Sequence, residues 1–474
     1  MKSAPLSNLK LYALGPVVTA LLGIITLPIT TWFFSKEAVG SLVMFQVFLN
    51  LSCVVVGLGL FQGYVRDYHE TKDKEGLFLD SLIPSLLFTV FIIIVHWFVY
   101  KWNGFSLSGY LFNLSGYWLD LLVILAVCFL AINNLIMHVF RMEERAMIYS
   151  ISLIAPRFFF LLFMFLFLVL ISRTFSALFK AHILAIISTF LLSLYCLIAK
   201  LKTSRLKATL NVMHIKRLLR YSLPLMFGSL AFWLVKVIDR FFLNHYFSLE
   251  DVAIYSIAVT VAGAFNILSS FISSIWHPTL FKWVSEGIKI DKLNSVIGLT
   301  VSTCVILFSF VGVFSPAITL FFPVGYEDLP FLIVICSLCP ILFIISETTV
   351  VGIAVSKKTN YSLWLSIVTL MFCILSNMIL VPYKGVDGAA ISSVLTFFLY
   401  FVFRTYASKT LWLDFNTRYA FASTVIMSLL SCFYLLFGKE IEHLNWVFLC
   451  LLLLPILYSG EGSRIVIFLK SKEL

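Results

Sequence analysis

Three charged side chains lie together in a long apolar stretch of the sequence. Lys236, Asp239 and Arg240 fall within the run FWLVKVIDRFFL. On a helix, residues four apart share a face, so Lys236 and Arg240 would point the same way, with Asp239 beside them. Arg binds phosphate through bidentate contacts and Lys through a point charge, so this spacing predicts an anion-binding site. The alternative is a self-neutralised ion cluster in which Arg240 extends toward the membrane surface.

Other cations in or beside apolar runs are further candidates for an anion path. Arg157 and Lys180 lie inside two apolar segments, and Arg66 stands beside Asp67 at the end of a third. A charge at mid-membrane costs about 2.5–3.5 kcal/mol on insertion scales, so such residues usually face a cavity or a partner. For Arg157 and Lys180 a packing role is an equal alternative. For Arg66 the alternative is an ordinary interfacial charge.

Two carboxylates lie deep in the second half of the chain. Besides Asp239, Glu347 follows the apolar run ILFIIS. A protonatable acid at depth is the usual group for proton or sodium coupling, so both are candidates for ion coupling. Alternatively, Thr348 and Thr349 could satisfy Glu347 as a neutral acid.

The remaining titratable residues do not predict a metal site, a redox centre or a catalytic site. His96, His138 and His182 lack metal-ligand spacing, and Cys336-x-x-Cys339 lies inside an apolar run. No G-x-x-x-x-G-K-[ST] motif occurs, so the chain carries no phosphate-binding loop of that kind. We therefore predict neither a metal nor a cofactor, and no enzymatic activity.

The elements that position these residues are predicted to be membrane-spanning helices. Of the 474 residues 61% are hydrophobic and 12% charged, whereas soluble domains average about 45–50% and 25%. The sequence thus predicts an all-α integral membrane protein with about fourteen transmembrane helices, including a retained first span. The predicted spans are 11–33, 41–63, 77–99, 118–138, 148–171, 175–199, 223–244, 252–275, 294–314, 329–354, 361–381, 388–407, 417–437 and 444–461.

The basic residues predict the orientation of the chain. If the N-terminus is cytoplasmic, the inner loops and tails hold about 25 of the 34 Lys and Arg and the outer loops about five. This bias predicts cytoplasmic N- and C-termini, a cytoplasmic 201–222 and an extracytoplasmic 100–117. The net charge of +11 then reflects topology and contact with anionic membrane lipids, not nucleic-acid binding.

The two halves of the chain show a short internal repeat. Phe34-Ser35-Lys36-Glu37-Ala38-Val39 follows the first span and Phe247-Ser248-Leu249-Glu250-Asp251-Val252 follows the seventh. This predicts a duplication of six plus six spans, an organisation that builds transporters. We expect two pseudo-symmetric six-helix bundles, and in span two Gly59-x-x-x-Gly63 would permit close helix approach. The predicted divisions are an N-terminal lobe 1–200, an amphipathic connector 201–222, a C-terminal lobe 223–410, and two additional helices with a tail, 411–474.

Several segments together resemble a known family. The stretch LLRYSLPLMFGSLAFWLVKVIDRFFLNHYFSLEDVAIYSIAV (218–259) resembles the Wzx-type polysaccharide flippases of the multidrug/oligosaccharidyl-lipid/polysaccharide (MOP) exporter superfamily. Further matching pieces, in the family's order, are GLGLFQGYVRDYHETKDKEGL (57–77), VFRMEERAMIYS (139–150) and PYKGVDGAAISS (382–393). Members of this family often have twelve spans, so the last two spans predicted here are a departure from the family.

The resemblance implies a function. Two lobes of MATE-like fold would enclose a cavity lined mainly by spans one, two, seven and eight. An undecaprenyl-pyrophosphate-linked oligosaccharide repeat unit, for example of O-antigen in lipopolysaccharide, would cross the bacterial inner membrane through it by alternating access. Candidate partners are this lipid-linked substrate, membrane lipids, a polysaccharide polymerase and a chain-length regulator. The pyrophosphate and glycan path would then include Lys236, Asp239, Arg240, Arg157, Lys180 and Arg66.

Two other functions remain alternatives. A MATE-type drug/cation antiporter of the same superfamily should have an acidic cavity, whereas the intramembrane charges here favour Lys and Arg. An integral polysaccharide polymerase or ligase should carry a long extracytoplasmic loop with catalytic groups, and the longest outer loop, 100–117, contains no carboxylate.

Overall fold

The computed structural model describes residues 6–112, 116–170, 173–201, 210–287, 290–356, 358, 360–441 and 443–461. These residues form helices joined by short turns, and no strand occurs among them. In a bilayer an α-helix satisfies its backbone hydrogen bonds within one segment, so a lipid-facing chain adopts it. The predicted all-α membrane fold is thus confirmed, with twelve helices long and apolar enough to span a membrane in the described part. One of these, Asn360–Leu411, joins two predicted spans across a kink at Gly385 (φ 55°, ψ −127°), and a shorter apolar segment, Leu444–Tyr458, corresponds to the last.

The chain divides into two compact units, 1–234 and 235–474. The predicted lobe boundaries at 200, 222 and 410 stay predictions, and positions 202–209 of the predicted connector lie outside the described residues. The helices of the first unit are α1 (Leu6–Phe33), α2 (Lys36–Val56), α3 (Leu60–Asp67), α4 (Lys74–Asn103), α5 (Leu107–Phe112), α6 (Tyr117–Met142), α7 (Ala146–Leu170), α8 (Phe175–Leu201) and α9 (Val212–Val235), which ends at the boundary.

In the second unit the helices run from α10 to α18 with two 3-10 segments. They are α10 (Ile238–Tyr246), α11 (Leu249–Ala262), α12 (Phe265–Ser285), α13 (Ile290–Phe314), a 3-10 helix (Ser315–Phe321), α14 (Leu329–Thr349), α15 (Val351–Val355), α16 (Asn360–Leu411), α17 (Arg418–Phe437), a 3-10 helix (Leu444–Leu452) and α18 (Leu453–Glu461).

The repeated FS motif begins a helix in each unit. Ser35 caps α2 by accepting a hydrogen bond from the backbone N–H of Ala38. Ser248 caps α11 in the same way and forms a full capping box with Asp251. A serine hydroxyl at this position satisfies one of the N–H groups that the first helical turn leaves unpaired. The motif therefore marks the start of the second span-forming helix of each half.

In the first unit α9 packs against the glycines that follow α2. A Cβ atom on Gly59 would lie 2.8 Å from the Ser222 carbonyl oxygen, and one on Gly63 would lie 2.7 Å from the Ser222 hydroxyl. Any larger residue would push the helices apart, so the Gly-x-x-x-Gly spacing permits the close approach that the sequence predicts. Around this contact Leu60, Tyr64 and Leu218 contribute to one buried apolar cluster.

In the second unit α14 is the central helix. It packs against α11, α12, α13, α16 and α17, and most of its residues are buried. A helix that is apolar on every side is stable only when protein or lipid surrounds it completely. Polar residues on α14 therefore face protein neighbours, and several of them contribute to the site.

Candidate functional site

The predicted span seven is broken where its charged residues stand. Helix α9 ends at Val235 and α10 begins at Ile238, and Val237 between them has non-helical backbone angles (φ −134°, ψ −11°). The assumption that Lys236 and Arg240 share one face of a continuous helix is therefore wrong. A break of this kind leaves the carbonyl groups of the last turn without helical partners.

Arg240 closes the break. Its Nη1 donates hydrogen bonds to the Lys236 carbonyl oxygen at 2.8 Å and to Asp239 Oδ1 at 3.2 Å. Its Nε donates to the hydroxyl of Ser256 at 3.0 Å, and its guanidinium carbon lies 5.6 Å from the centre of the Tyr255 ring. Only 6% of Arg240 is exposed. The guanidinium thus bonds to protein groups, as in the alternative of a self-neutralised ion cluster. Unlike in that alternative, Arg240 is buried and does not extend toward a surface.

The Asp239 carboxylate is enclosed by donors. It accepts hydrogen bonds from the Arg240 backbone N–H at 2.8 Å, from the Tyr255 hydroxyl, and from the Ser393 hydroxyl at 3.2 Å. The residue is 3% exposed. Because Arg240 lies beside it, the negative charge of Asp239 is offset within the protein.

A cavity of about 100 Å³ opens beside the break and lies entirely within the second unit. Lys236 and Asp239 line it from the α9–α10 break, and Gly263 and Asn266 line it from a second break, where α11 ends and α12 begins. The Lys236 side chain is exposed. Discontinuous helices that meet at one cavity are typical of transporter binding sites. The other lining residues are Val235, Tyr255, Val259, Cys336, Cys339, Pro340, Phe343, Ser393 and Phe397.

A second buried ion pair lies near this cavity. Arg404 Nη1 on α16 donates to Glu347 Oε1 and to the Ser346 hydroxyl on α14, each at 2.8 Å. The sequence analysis did not single out Arg404, although its position inside the predicted span 388–407 was a signal that could have identified it. The two carboxylates predicted for ion coupling, Asp239 and Glu347, thus each have an arginine beside them.

The ring of Phe343 contacts cations of both groups. The Nζ atom of Lys236 and the guanidinium carbon of Arg404 each lie 5.7 Å from its centre. At that distance a cation is attracted to the negative face of an aromatic ring. Phe343 therefore links the cavity lysine to the buried Glu347–Arg404 pair.

Cys336 and Cys339 both line the cavity, and their thiols are free. In the described part of the chain no group of three or more His, Cys, Asp or Glu side chains could hold a metal ion. The Cys-x-x-Cys spacing is accounted for by two small residues on one wall of the cavity.

The predicted site residues of the first unit are not gathered into one site. Arg157 is half-buried on α7, and Lys180 is exposed on α8. Arg66 pairs with Asp67 at 2.5 Å, and its guanidinium carbon lies 3.8 Å from the centre of the Tyr221 ring on α9. Arg66 is thus part of a local charge cluster.

That cluster joins the start of α9 to the end of α3 and the first turns of α4. His214 Nδ1 lies 3.0 Å from Asp80 Oδ2, and His214 Nε2 lies 3.5 Å from Asp67 Oδ2. The backbone N–H of Asn211 donates to Asp80 Oδ1 at 3.1 Å. Burial raises the pKa of the Asp67 carboxyl, but the hydrogen bond and charge of Arg66 outweigh burial, so the pKa lies below its ordinary value. Through His214, the start of α9 thus contacts the two buried carboxylates of Asp67 and Asp80.

Comparisons with known proteins place the chain in a family. The family model described as "Polysaccharide biosynthesis protein" matches residues 6–284. A search of curated protein sequences finds no match.

Among solved structures, the lipid II flippase MurJ in an inward closed conformation is similar, with a TM-score of 0.65 and 16% identity over 96% of this chain and 98% of that one. An outward-facing MATE multidrug resistance transporter of the MOP superfamily has a TM-score of 0.59 and 17% identity, over 84% of this chain and 93% of that one. At these identities the likeness concerns the fold. The family match covers more than half of the sequence, and the chain therefore belongs to the polysaccharide biosynthesis protein family and has the fold of the MOP exporters.

Proposed function

We propose that this protein is a flippase that moves an undecaprenyl-pyrophosphate-linked oligosaccharide repeat unit from the cytoplasmic to the periplasmic leaflet of the bacterial inner membrane by alternating access. Membership in a polysaccharide biosynthesis family supports the substrate class, and the similarity to a lipid II flippase supports a lipid-linked cargo. O-antigen is the repeat unit we expect, with a polysaccharide polymerase and a chain-length regulator as downstream partners.

The observation that carries the proposal is the exposed Lys236 in the cavity between two broken helices. Passing a pyrophosphate through hydrocarbon requires a cation where the headgroup pauses, because an uncompensated charge is costly there. Asp239 faces the same cavity, but Arg240 offsets its charge. Lys236 therefore supplies the positive charge that the cavity presents to an anionic headgroup.

A drug/cation antiporter is the second candidate, since Asp239 lines the cavity and MATE transporters share the fold. Its cargo is cationic, so removal of Lys236 should preserve or strengthen cargo binding. Removal of Asp239 should abolish it. The two functions therefore predict opposite effects of the Lys236 charge.

The test is export of surface polysaccharide in a flippase-deficient strain. We expect Lys236→Gln to be inserted at the parent level and to fail to restore export. Loss of one contact to a charged phosphate costs about 1.5–3 kcal/mol, or roughly one to two decades in affinity. Lys236→Arg should retain more export than Lys236→Gln because it keeps the charge.

Lys384→Gln is the matched control, because Lys384 is also an exposed lysine within a helix, α16, but does not line the cavity. It should restore export like the parent. Normal export by Lys236→Gln at parental protein levels would refute the assignment of Lys236. Cation resistance conferred by the parent and lost in Asp239→Asn, without any effect on polysaccharide, would favour the antiporter.

A further inference from the structure

The Glu347–Arg404 pair is built into the wall of the cavity rather than into the cavity itself. Both side chains are about nine-tenths buried (10% exposed each), and neither lines the cavity. Arg404 holds two oxygens of α14 at once, those of Ser346 and Glu347, each at 2.8 Å. These two hydrogen bonds fix the planar guanidinium group of Arg404 relative to α14.

Phe343 lies one helical turn before Glu347 and one turn after Cys339, so the three side chains share a face of α14. Helical side chains lean toward the N-terminus, which brings the Phe343 ring over the turn that carries Cys339. The ring lines the cavity and lies near the Lys236 ammonium group.

Arg404 contacts the aromatic side chains that form this wall. Its guanidinium carbon lies 4.8 Å from the centre of the Tyr400 ring and 5.7 Å from that of Phe343. The two rings are nearly parallel, with an interplanar angle of 2° and centres 6.5 Å apart. A guanidinium tied to α14 thus contacts one ring from α16 and one from α14.

We propose that Arg404 is a positioning residue. Anchored by Glu347, it holds the Phe343 ring in place as the cavity wall beside Lys236. Glu347 then acts as the counter-ion of Arg404 and not as the carrier of a coupling ion. This inference rests on the proposed function only in treating the cavity as a substrate site. The position of the Phe343 ring itself can be measured without transport.

Cys339 provides that measurement, since it is a native thiol, partly exposed, on the cavity wall beneath Phe343. The full-length protein in detergent is treated with a small charged methanethiosulfonate, and modification of each cysteine is followed by mass spectrometry. Phe343→Leu is the positive control, because a smaller, non-aromatic side chain should uncover Cys339.

The decisive variant is Arg404→Lys. Lysine keeps the charge opposite Glu347, so the protein should be produced at the parent level, but it lacks the planar group that contacts the two rings. Since a cation–π contact of this kind is modest, we expect Cys339 to be labelled about threefold to tenfold faster. Arg418→Lys, at an exposed arginine that starts α17, should leave the rate unchanged. Labelling of Arg404→Lys at the parent rate would overturn the proposal.

Glu347→Gln distinguishes a counter-ion from a coupling group. As a counter-ion, Glu347 anchors Arg404, so its loss should speed Cys339 labelling as Arg404→Lys does. Abolished export with Cys339 labelling unchanged would overturn the proposal in favour of coupling. If the parent protein fails to restore polysaccharide export while Arg404→Lys still speeds labelling, the proposed function fails and the positioning role stands.

Discussion

Lys236 and Arg240 stand four positions apart in the sequence, and only the lysine reaches the cavity. Arg240 bonds to the Lys236 carbonyl oxygen, Asp239 and Ser256, whereas the Lys236 side chain is exposed beside Asp239. The two cations that the sequence predicted as one site therefore have different surroundings. We expect Arg240 to stabilise the broken helix, and we propose Lys236 for ligand contact.

Substitution of Arg240 tests this division at the level of a single side chain. Arg240→Ala leaves the buried Asp239 carboxylate without its cation, and breaking a buried ion pair costs about 3–5 kcal/mol. We therefore expect a low level of folded protein for Arg240→Ala, measured by fluorescence-detected size exclusion of a tagged chain, where Lys236→Ala should give the parent level. The double variant Asp239→Asn with Arg240→Met should recover part of the loss, because it removes both charges. Parent-like levels of Arg240→Ala combined with lost export would instead return Arg240 to the binding site.

At the scale of the helix, sequence predicts where spans lie better than where they break. Long apolar runs fix the existence of a membrane helix, because a hydrophobic stretch of sufficient length has no other stable position in a bilayer. The break before α12 occurs at Gly263, and glycine is a recognised signal for one. The break after α9 occurs at Lys236-Val237, which contains neither glycine nor proline. There the side chains of Arg240 and Asp239 supply polar partners to the interrupted backbone: Arg240 donates to the Lys236 carbonyl oxygen, and Asp239 accepts from the Arg240 backbone N–H.

The sequence also indicates some residues of the cavity and its wall but not others. Lys236 and Asp239 were found because charge inside an apolar run is conspicuous. Arg404 was not singled out from the sequence, and only the fold brings it to Glu347. Arg404 and Glu347 are 57 positions apart, and nothing in the sequence indicates that they are in contact.

The start of α9 offers a prediction about a whole element. His214 lies between Asp80 and Asp67, each 2% exposed, and His214→Ala would leave both carboxylates without this partner. An unsatisfied buried polar group costs about 1–3 kcal/mol, so we expect a lower Tm of the purified protein in detergent.

Arg217→Ala is the control for this element, because Arg217 and Glu70 form a pair 3.7 Å apart whose side chains are 64% and 71% exposed. Surface pairs contribute about 0–1 kcal/mol, so the Tm should stay near that of the parent. An equal Tm for His214→Ala and the parent would show that the contacts to Asp67 and Asp80 do not stabilise α9.

At the scale of the whole molecule, the proposed direction of transport depends on which side of the membrane each loop faces. Orientation follows from the bias of Lys and Arg toward one set of loops, so it is independent of the cavity chemistry. Exposed positions occur in both decisive segments: Tyr110, in the predicted extracytoplasmic 100–117, is 72% exposed, and Leu210, in the predicted cytoplasmic 201–222, is 56% exposed. Because both are open to reagent, a difference in labelling reports the side of the membrane and not burial.

The corresponding experiment places a cysteine at each position and treats intact cells with a membrane-impermeant maleimide. The nine native cysteines all lie in apolar runs, so the parent protein should give a low background. We expect Tyr110→Cys to be labelled from outside and Leu210→Cys to be labelled only after the membrane is permeabilised, which also serves as the control for reactivity. The reverse pattern would invert every span, place the start of α9 and its His214 cluster on the periplasmic side, and require the headgroup to enter from the opposite leaflet.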